Sequence, residues 1–209
     1  MWYFTWILGV LLACAFGIIN VLWLEAQEGL DQKSLTLDPL TKLPTRVEFL
    51  SNLEEKIEHY KNEASPFILM LVSLDAHKSL SEKGDNENVE QMVIKVTDII
   101  KHETNSTDDF VTRYDAATFA IILGYSNIDA AETIAHHICE NVLNQKIVSS
   151  DESIISIGLS EYPTQLSCGD DENCQEQIKS ILQSTDNAVK QAQKQETNGV
   201  YCEKTLVPS

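Results

Sequence analysis

The chain opens on an unbroken apolar run. Trp2 to Leu24 carries no charged side chain, and from Glu25 onward the sequence turns polar and acidic. A helix over Phe4 to Leu24 would be about 31 Å long, close to the roughly 30 Å hydrocarbon thickness of a bilayer. Trp2, Tyr3 and Trp6 mark one end and Trp23 the other, the belt that spanning helices place at the two interfaces. Beyond this run helical and extended patterns alternate. Val47, Leu50, Leu53 and Ile57 predict a helix over Pro44 to Tyr60. Phe67 to Leu74 is continuously apolar and of strand length, which predicts a buried central strand. Val89, Met92, Val93, Val96, Ile99 and Ile100 predict a second helix, and Val111–Tyr114 with Phe119–Leu123 a hairpin around a short turn. A helix over Ile128 to Leu143, a strand over Ile154 to Leu159, a helix lined by Ile178, Ile181, Leu182, Val189 and Ala192, and a strand near Val200 complete the series. The expected fold class is α/β: a single N-terminal transmembrane helix (1–25), a polar linker (26–37), a domain with a mixed central β-sheet flanked by helices (38–203) and a short tail (204–209).

A cleaved signal peptide would call for a basic start, a shorter apolar core and a small-residue cleavage site. No Lys or Arg precedes the run, and apolar residues continue past Ala13-Cys14-Ala15, so a retained anchor fits better. Lys33 and Lys42 follow the span while no cation precedes it, which places the C-terminal domain in the cytoplasm by the positive-inside rule. Gly9, Ala13 and Gly17 recur at four-residue spacing with Asn20 continuing that face. Such a stripe lets another helix backbone come close, and a buried amide would seek a partner across it; small residues are also simply common in membrane helices.

Charge and cysteine usage narrow the function. The net charge of −17 lies in the polar part, which excludes nucleic acid and anionic headgroups as partners. Five cysteines form no metal-type CxxC pair. Cys139 falls on the apolar stripe of its helix and is expected in the core, and Cys168 and Cys174 flank an acidic loop and read as free thiols rather than a disulfide. The adjacent His136 and His137 point about 100° apart on a helix and read as surface residues.

The opening Met1-Trp2-Tyr3-Phe4-Thr5-Trp6-Ile7-Leu8-Gly9, with Leu11-Leu12-Ala13-Cys14, Phe16-Gly17 and Leu24-Glu25, resembles the small X subunit of cytochrome bd ubiquinol oxidase. The resemblance implies a peptide that packs against large haem-bearing subunits, supports assembly and activity, and binds no cofactor itself; haem b and d belong to the partners. It picks out Tyr3, Trp6 and Glu25 as contacts, beside the packing face of Gly9, Ala13, Gly17 and Asn20.

From Asp38 to Tyr201 the order of landmarks resembles the GGDEF domain of diguanylate cyclases. Asp38-Pro39-Leu40-Thr41-Lys42-Leu43-Pro44-Thr45-Arg46 looks like the family's opening DPLTGLPNR, Arg113-Tyr114 precedes the signature position, and Ser156-Ile157-Gly158 and Asp186-Asn187-Ala188 match later landmarks. The chemistry is expected to be lost. Condensing two GTP molecules requires divalent ions held by hard oxygen ligands, normally carboxylates. The first-strand Asp of the family falls at Ser73, with Asp75 two residues on, and the signature reads Asp115-Ala116-Ala117-Thr118-Phe119, so both of its acids become Ala117 and Thr118. Left-handed backbone at Ala116 would cost roughly 1–2 kcal/mol, so another turn is expected there. The family's guanine contacts align with Ser81 and Glu90, its phosphate-binding cations with Gln193 and Thr197, and its inhibitory RxxD motif with Ser106 to Asp109. Asp75, Glu90 and Asp109 are expected as solvated surface acids. No catalytic or metal residue is assigned.

The two resemblances predict a non-catalytic accessory subunit of a bd-type quinol oxidase, single-pass in the inner membrane, with an inactive GGDEF-like cytoplasmic appendage through which it dimerises or binds a partner. The alternative is a membrane-anchored pseudo-cyclase acting as a nucleotide-sensing or interaction module.

Overall fold

The computed structural model describes residues 37–63, 65–145, 154–162, 171–194 and 199–203, together with Tyr3, Ile7 and Ile18. Those three leader positions are helical, and Tyr3 is 84% exposed. The rest of the expected span, and with it Trp6, Gly9, Ala13, Gly17, Asn20 and Glu25, lies outside the described residues, as do Cys168 and Thr197. Among the described residues no helix is long and apolar enough to cross a membrane.

The domain begins with α1 (Arg46–Glu63), then β1 (Phe67–Leu74), α2 (Ala76–Glu82) and α3 (Asn86–Glu103). The hairpin β2 (Phe110–Arg113) and β3 (Thr118–Leu123) follows, then α4 (Ile128–Asn144), β4 (Ile155–Tyr162), α5 (Asp171–Gln193) and β5 (Val200–Glu203). The sheet order is β2-β3-β1-β4-β5. β1 runs antiparallel to both neighbours and β5 parallel to β4, so the sheet is mixed, as the pattern predicted. The parallel pair follows from the connection: α5 carries the chain back across the sheet between them.

β1 is central because both its faces are covered, which is why it reads as an unbroken apolar run. Phe67, Leu69 and Leu71 face α1 and α5, meeting Phe49, Leu53, Ile57 and Tyr60 at helical spacing and Ile178, Ile181 and Val189. Ile68, Met70, Val72 and Leu74 face α3 and α4, against Met92, Val93, Val96 and Ile100 from one and Ala131, Ala135, Ile138 and Cys139 from the other. Each buried Val, Leu, Ile, Phe or Met here contributes about 1.5–3 kcal/mol of transfer free energy, the alanines less. The Cys139 thiol is 5% exposed; its burial, with Glu140 nearby, pushes its pKa up to about 12, so it is an inert core group.

α2 was not read from the sequence. It buries only Ala76, so its seven residues carry too short an apolar pattern to register. Gly84, at φ 75°, makes the turn from α2 into α3, a left-handed conformation that glycine adopts without strain. α4 starts on Asn127, whose side chain accepts a hydrogen bond from the Ala130 N–H at 2.9 Å, an N-cap of the usual kind. Gly158 on β4 has a different reason. A Cβ there would lie 2.5 Å from the Val189 nitrogen and 2.7 Å from the Thr185 carbonyl oxygen, so α5 rests directly on the strand backbone. That contact sets where the end of α5 falls relative to β1.

Candidate functional site

The expected metal position lies where three strands present hydroxyls in one row. Ser73 on β1 pairs with Thr118 on β3 and with Ser156 on β4. Cross-strand partners point to the same face, here the α1/α5 face shared with Phe67, Leu69 and Leu71. Asp75, just past β1, adds the nearby carboxylate. It is not the solvated acid expected from the sequence. Ser156 Oγ donates to Asp75 Oδ2 at 2.5 Å, Gln193 Nε2 to Oδ1 at 2.7 Å, and Ser73 Oγ to Oδ1 at 3.4 Å. Gln193 Nε2 also donates to Ser73 Oγ at 3.2 Å. Both carboxylate oxygens therefore already accept hydrogen bonds from neutral donors.

The glutamine at the end of α5 stands where the resemblance places a phosphate-binding cation, and it reaches across 118 residues of sequence to hold Asp75. A pair of divalent ions bound to triphosphate does not fit this donor set: two hydroxyls and an amide bring no charge, and one carboxylate remains. Among the described residues no group of three or more His, Cys, Asp or Glu is arranged to hold a metal.

The signature turn has been rebuilt, as the alanines predicted. Non-glycine residues with positive φ, among those described, are Lys42 and Tyr125, so Asp115, Ala116 and Ala117 all avoid the left-handed region. Asp115 closes the turn instead: its Oδ1 accepts from the Ala117 N–H at 2.9 Å, while Tyr114 N–H and Asp115 N–H both donate to the Thr118 carbonyl, at 2.9 and 3.1 Å. This side-chain mimicry of a backbone turn is what an Asp can supply and a glycine pair cannot. The Leu74 N–H donates to the Ala117 carbonyl at 2.7 Å and ties the turn to the end of β1.

On the other flank of the turn the opening motif keeps its Asp38 and Thr41, with Lys42 and Thr45 in place of the family's glycine and asparagine. Asp38 Oδ2 accepts from the Thr41 N–H and hydroxyl, both at 2.7 Å, and from Arg113 Nη1 at 2.9 Å. Arg113 Nη2 donates to the Ala116 carbonyl at 3.1 Å, so one guanidinium joins the motif to the signature turn. Burial works to raise the Asp38 pKa, but Thr41 and Arg113 together outweigh it and hold the carboxyl below its ordinary value.

Asp109, where the resemblance places the aspartate of the RxxD motif, is also not a solvated acid. It is half-buried, and desolvation raises its pKa although the backbone N–H groups of Gly124 and Ser106 oppose the shift. Glu90 is exposed as expected, as are His136 and His137.

Residues 35–199 match the family described as diguanylate cyclase, GGDEF domain. The chain belongs to the GGDEF family. Residues 1–27 match a second family, the membrane-bound YbgT-like proteins. A 43-residue stretch, 21% of this chain, is 44% identical to cytochrome bd ubiquinol oxidase subunit X of Brucella abortus and covers 84% of that protein. Two families are thus fused: a subunit X segment and a GGDEF domain. Diguanylate cyclase A of Treponema denticola is 25% identical over 179 residues, 83% of this chain but 46% of its own length, so the GGDEF protein here spans about half of that cyclase. Among solved structures, the coiled coil and GGDEF domain of DgcB from Caulobacter crescentus superposes with a TM-score of 0.68 at 19% identity, over 90% of this chain and 96% of that one. That likeness establishes the GGDEF fold.

Proposed function

We propose that this GGDEF protein is a non-catalytic accessory subunit of a cytochrome bd-type quinol oxidase. Its leader crosses the inner membrane once and packs against the large haem-bearing subunits. Tyr3, Trp6 and Glu25 are contacts, and the Gly9, Ala13, Gly17 and Asn20 face is the helix-packing stripe. Residues 26–37 link it to a cytoplasmic domain (38–203) that makes no cyclic dinucleotide. The observation that carries the reading is the 44% identity of a 43-residue stretch across 84% of a bd oxidase subunit X, a match that a generic anchor has no reason to make. The silent domain rests on Ser73 and Ala117 in place of carboxylates, with Asp75 engaged by Ser73, Ser156 and Gln193.

The test is purification of the tagged full chain in mild detergent. Haem b and d absorbance should co-purify, and should be lost when residues 1–25 are exchanged for an unrelated anchor. Recovery without haem, or unchanged oxidase after the exchange, would count against the role. Incubated with GTP and Mg²⁺ or Mn²⁺, the same preparation should release no cyclic dinucleotide.

The hydrogen-bonded Asp38, Thr41 and Arg113 support a second reading of the domain. A fold kept in shape after its metal ligands are gone suits a binding module, either nucleotide-sensing or pairing with a partner or a second copy. Haem-free recovery together with a co-purifying protein or nucleotide would favour it.

A further inference from the structure

The chain contains two arginines, Arg46 and Arg113, against thirteen lysines. Both line one cleft of about 450 Å³, between the start of α1 and the β2–β3 turn, together with Thr45, Val47, Tyr114 and Asp115. We propose that this cleft is a binding site for a carboxylate, taken bidentately by Arg46.

The two guanidinium groups have different duties. Arg113 is spent internally, paired with Asp38 at 2.9 Å and bonded to the Ala116 carbonyl, with its side chain 13% exposed. That pair is neutral and forms the floor of the cleft. Arg46 is exposed, and among the described residues it meets neither a carboxylate nor a carbonyl. Its guanidinium lies over the Tyr114 ring, 4.7 Å from the centroid. The ring is held in turn by the fully buried Phe49, edge-on at 5.6 Å. A planar fork of donors is therefore positioned at the mouth of a cleft whose own carboxylates are engaged elsewhere, Asp38 by Thr41 and Arg113 and Asp115 by the Ala117 N–H. Stacking fixes the orientation of the fork, so binding loses less side-chain freedom than it would with a lysine.

The surroundings select the ligand. With the Asp38–Arg113 pair neutral, Asp115 and Arg46 leave the cleft with no net charge, which favours a single negative charge over a phosphate dianion. Val47, 66% exposed, offers an apolar wall beside Arg46 on the same lining. A carboxylate with a short apolar stem satisfies both. A cleft of this size suits a small acid or one acidic side chain of a peptide.

With two arginines in the chain, the Nε–Hε spectrum of ¹⁵N-arginine-labelled full-length protein in detergent holds two resolvable signals. Titration with butyrate should shift the Arg46 signal saturably and leave Arg113 nearly still. Chloride at matched ionic strength should leave both in place, and inorganic phosphate should bind more weakly than butyrate. Arg46→Lys, which keeps the charge and loses the fork, should weaken butyrate binding about tenfold, read from Val47 and Tyr114 amide shifts. An unchanged Arg113 signal in that variant reports an intact fold. An Arg46 shift that tracks chloride, phosphate binding tighter than butyrate, or full affinity in Arg46→Lys would overturn the site. A blocked glutamate-containing peptide that displaces butyrate at lower concentration assigns the carboxylate to a partner chain; displacement only at equal or higher concentration assigns it to a free small acid.

Discussion

The two flanks of the signature turn have met different fates. On one, Asp38, Thr41 and Arg113 keep the family's opening motif and still tie it to the turn. On the other, where the resemblance places metal and phosphate ligands, stand Ser73, Ala117 and Gln193, with the row hydrogen-bonded around Asp75. The first flank holds structure together, and the second is where the resemblance places chemistry; the proposed reading is that retention follows structure. If that is the rule, substitutions that disturb packing should be costly on either flank, whereas those confined to the old chemical groups should cost little. Gly158 gives the strongest form of the test, because it lies two residues from Ser156 but serves packing. Gly158→Ala puts a methyl 2.5 Å from the Val189 backbone nitrogen, and that backbone must move with α5. The expected loss is about 3 kcal/mol, seen as a lower urea midpoint of the full chain in detergent.

Arg113→Ala tests the retained flank. It leaves the Asp38 carboxylate, 16% exposed in its side chain, with Thr41 as its hydrogen-bond partner, and frees the Ala116 carbonyl. The expected loss is about 2 kcal/mol, at the lower end of what breaking a buried pair costs because the pair is not fully buried. Arg113→Lys should recover only part of it, since a lysine cannot reach Asp38 and the Ala116 carbonyl with one rigid fork. A value for Arg113→Ala no larger than that of Ser73→Ala would erase the distinction between the flanks.

Much of this fold was legible in the sequence because β1, α1, α3 and the hairpin each carry a full apolar pattern that burial on both sides of the sheet demands. The rebuilt turn was legible too, since two alanines and an aspartate cannot follow a double-glycine path cheaply. The fate of Asp75 was not. Ser73 is two residues away, but Ser156 and Gln193 stand 81 and 118 residues downstream, and nothing local announces that a strand and a helix end will deliver them to one carboxylate. Asp109 escaped for a similar reason, its partner Gly124 being brought opposite by the hairpin. Nor could spacing show that the chain's two arginines share a cleft; the bridge between Thr45 and Arg113 brings those segments together.

On the altered flank the effects should be small. Gln193→Ala removes two hydrogen bonds, at 2.7 and 3.2 Å, from an exposed pair and should cost under about 1 kcal/mol. It would also take the shorter of two hydrogen bonds from Asp75 Oδ1, leaving Ser73 at 3.4 Å, which makes it the sharper probe of chemistry. Even then the chain should form no cyclic dinucleotide from GTP with Mg²⁺, because Ser73 and Ala117 still bring no charge. Turnover in Gln193→Ala would mean that the glutamine restrains a working site rather than filling a defunct one.

The gentlest test titrates the retained flank instead of cutting it. Thr41 and Arg113 hold the Asp38 pKa below its ordinary 3.8 against the opposing pull of burial. A carboxyl whose pKa is depressed on folding contributes stability that is present above the unfolded value and is lost as pH falls through the folded one. Asp38→Asn should therefore be less stable than the parent chain near pH 6, and the gap in urea midpoint should close as pH drops below 3.8. Ser73→Ala, measured beside it, should show a small gap with no such closure. A gap for Asp38→Asn that stayed constant to pH 3 would mean that Asp38 acts by shape alone, and the retained flank would then owe nothing to its charge.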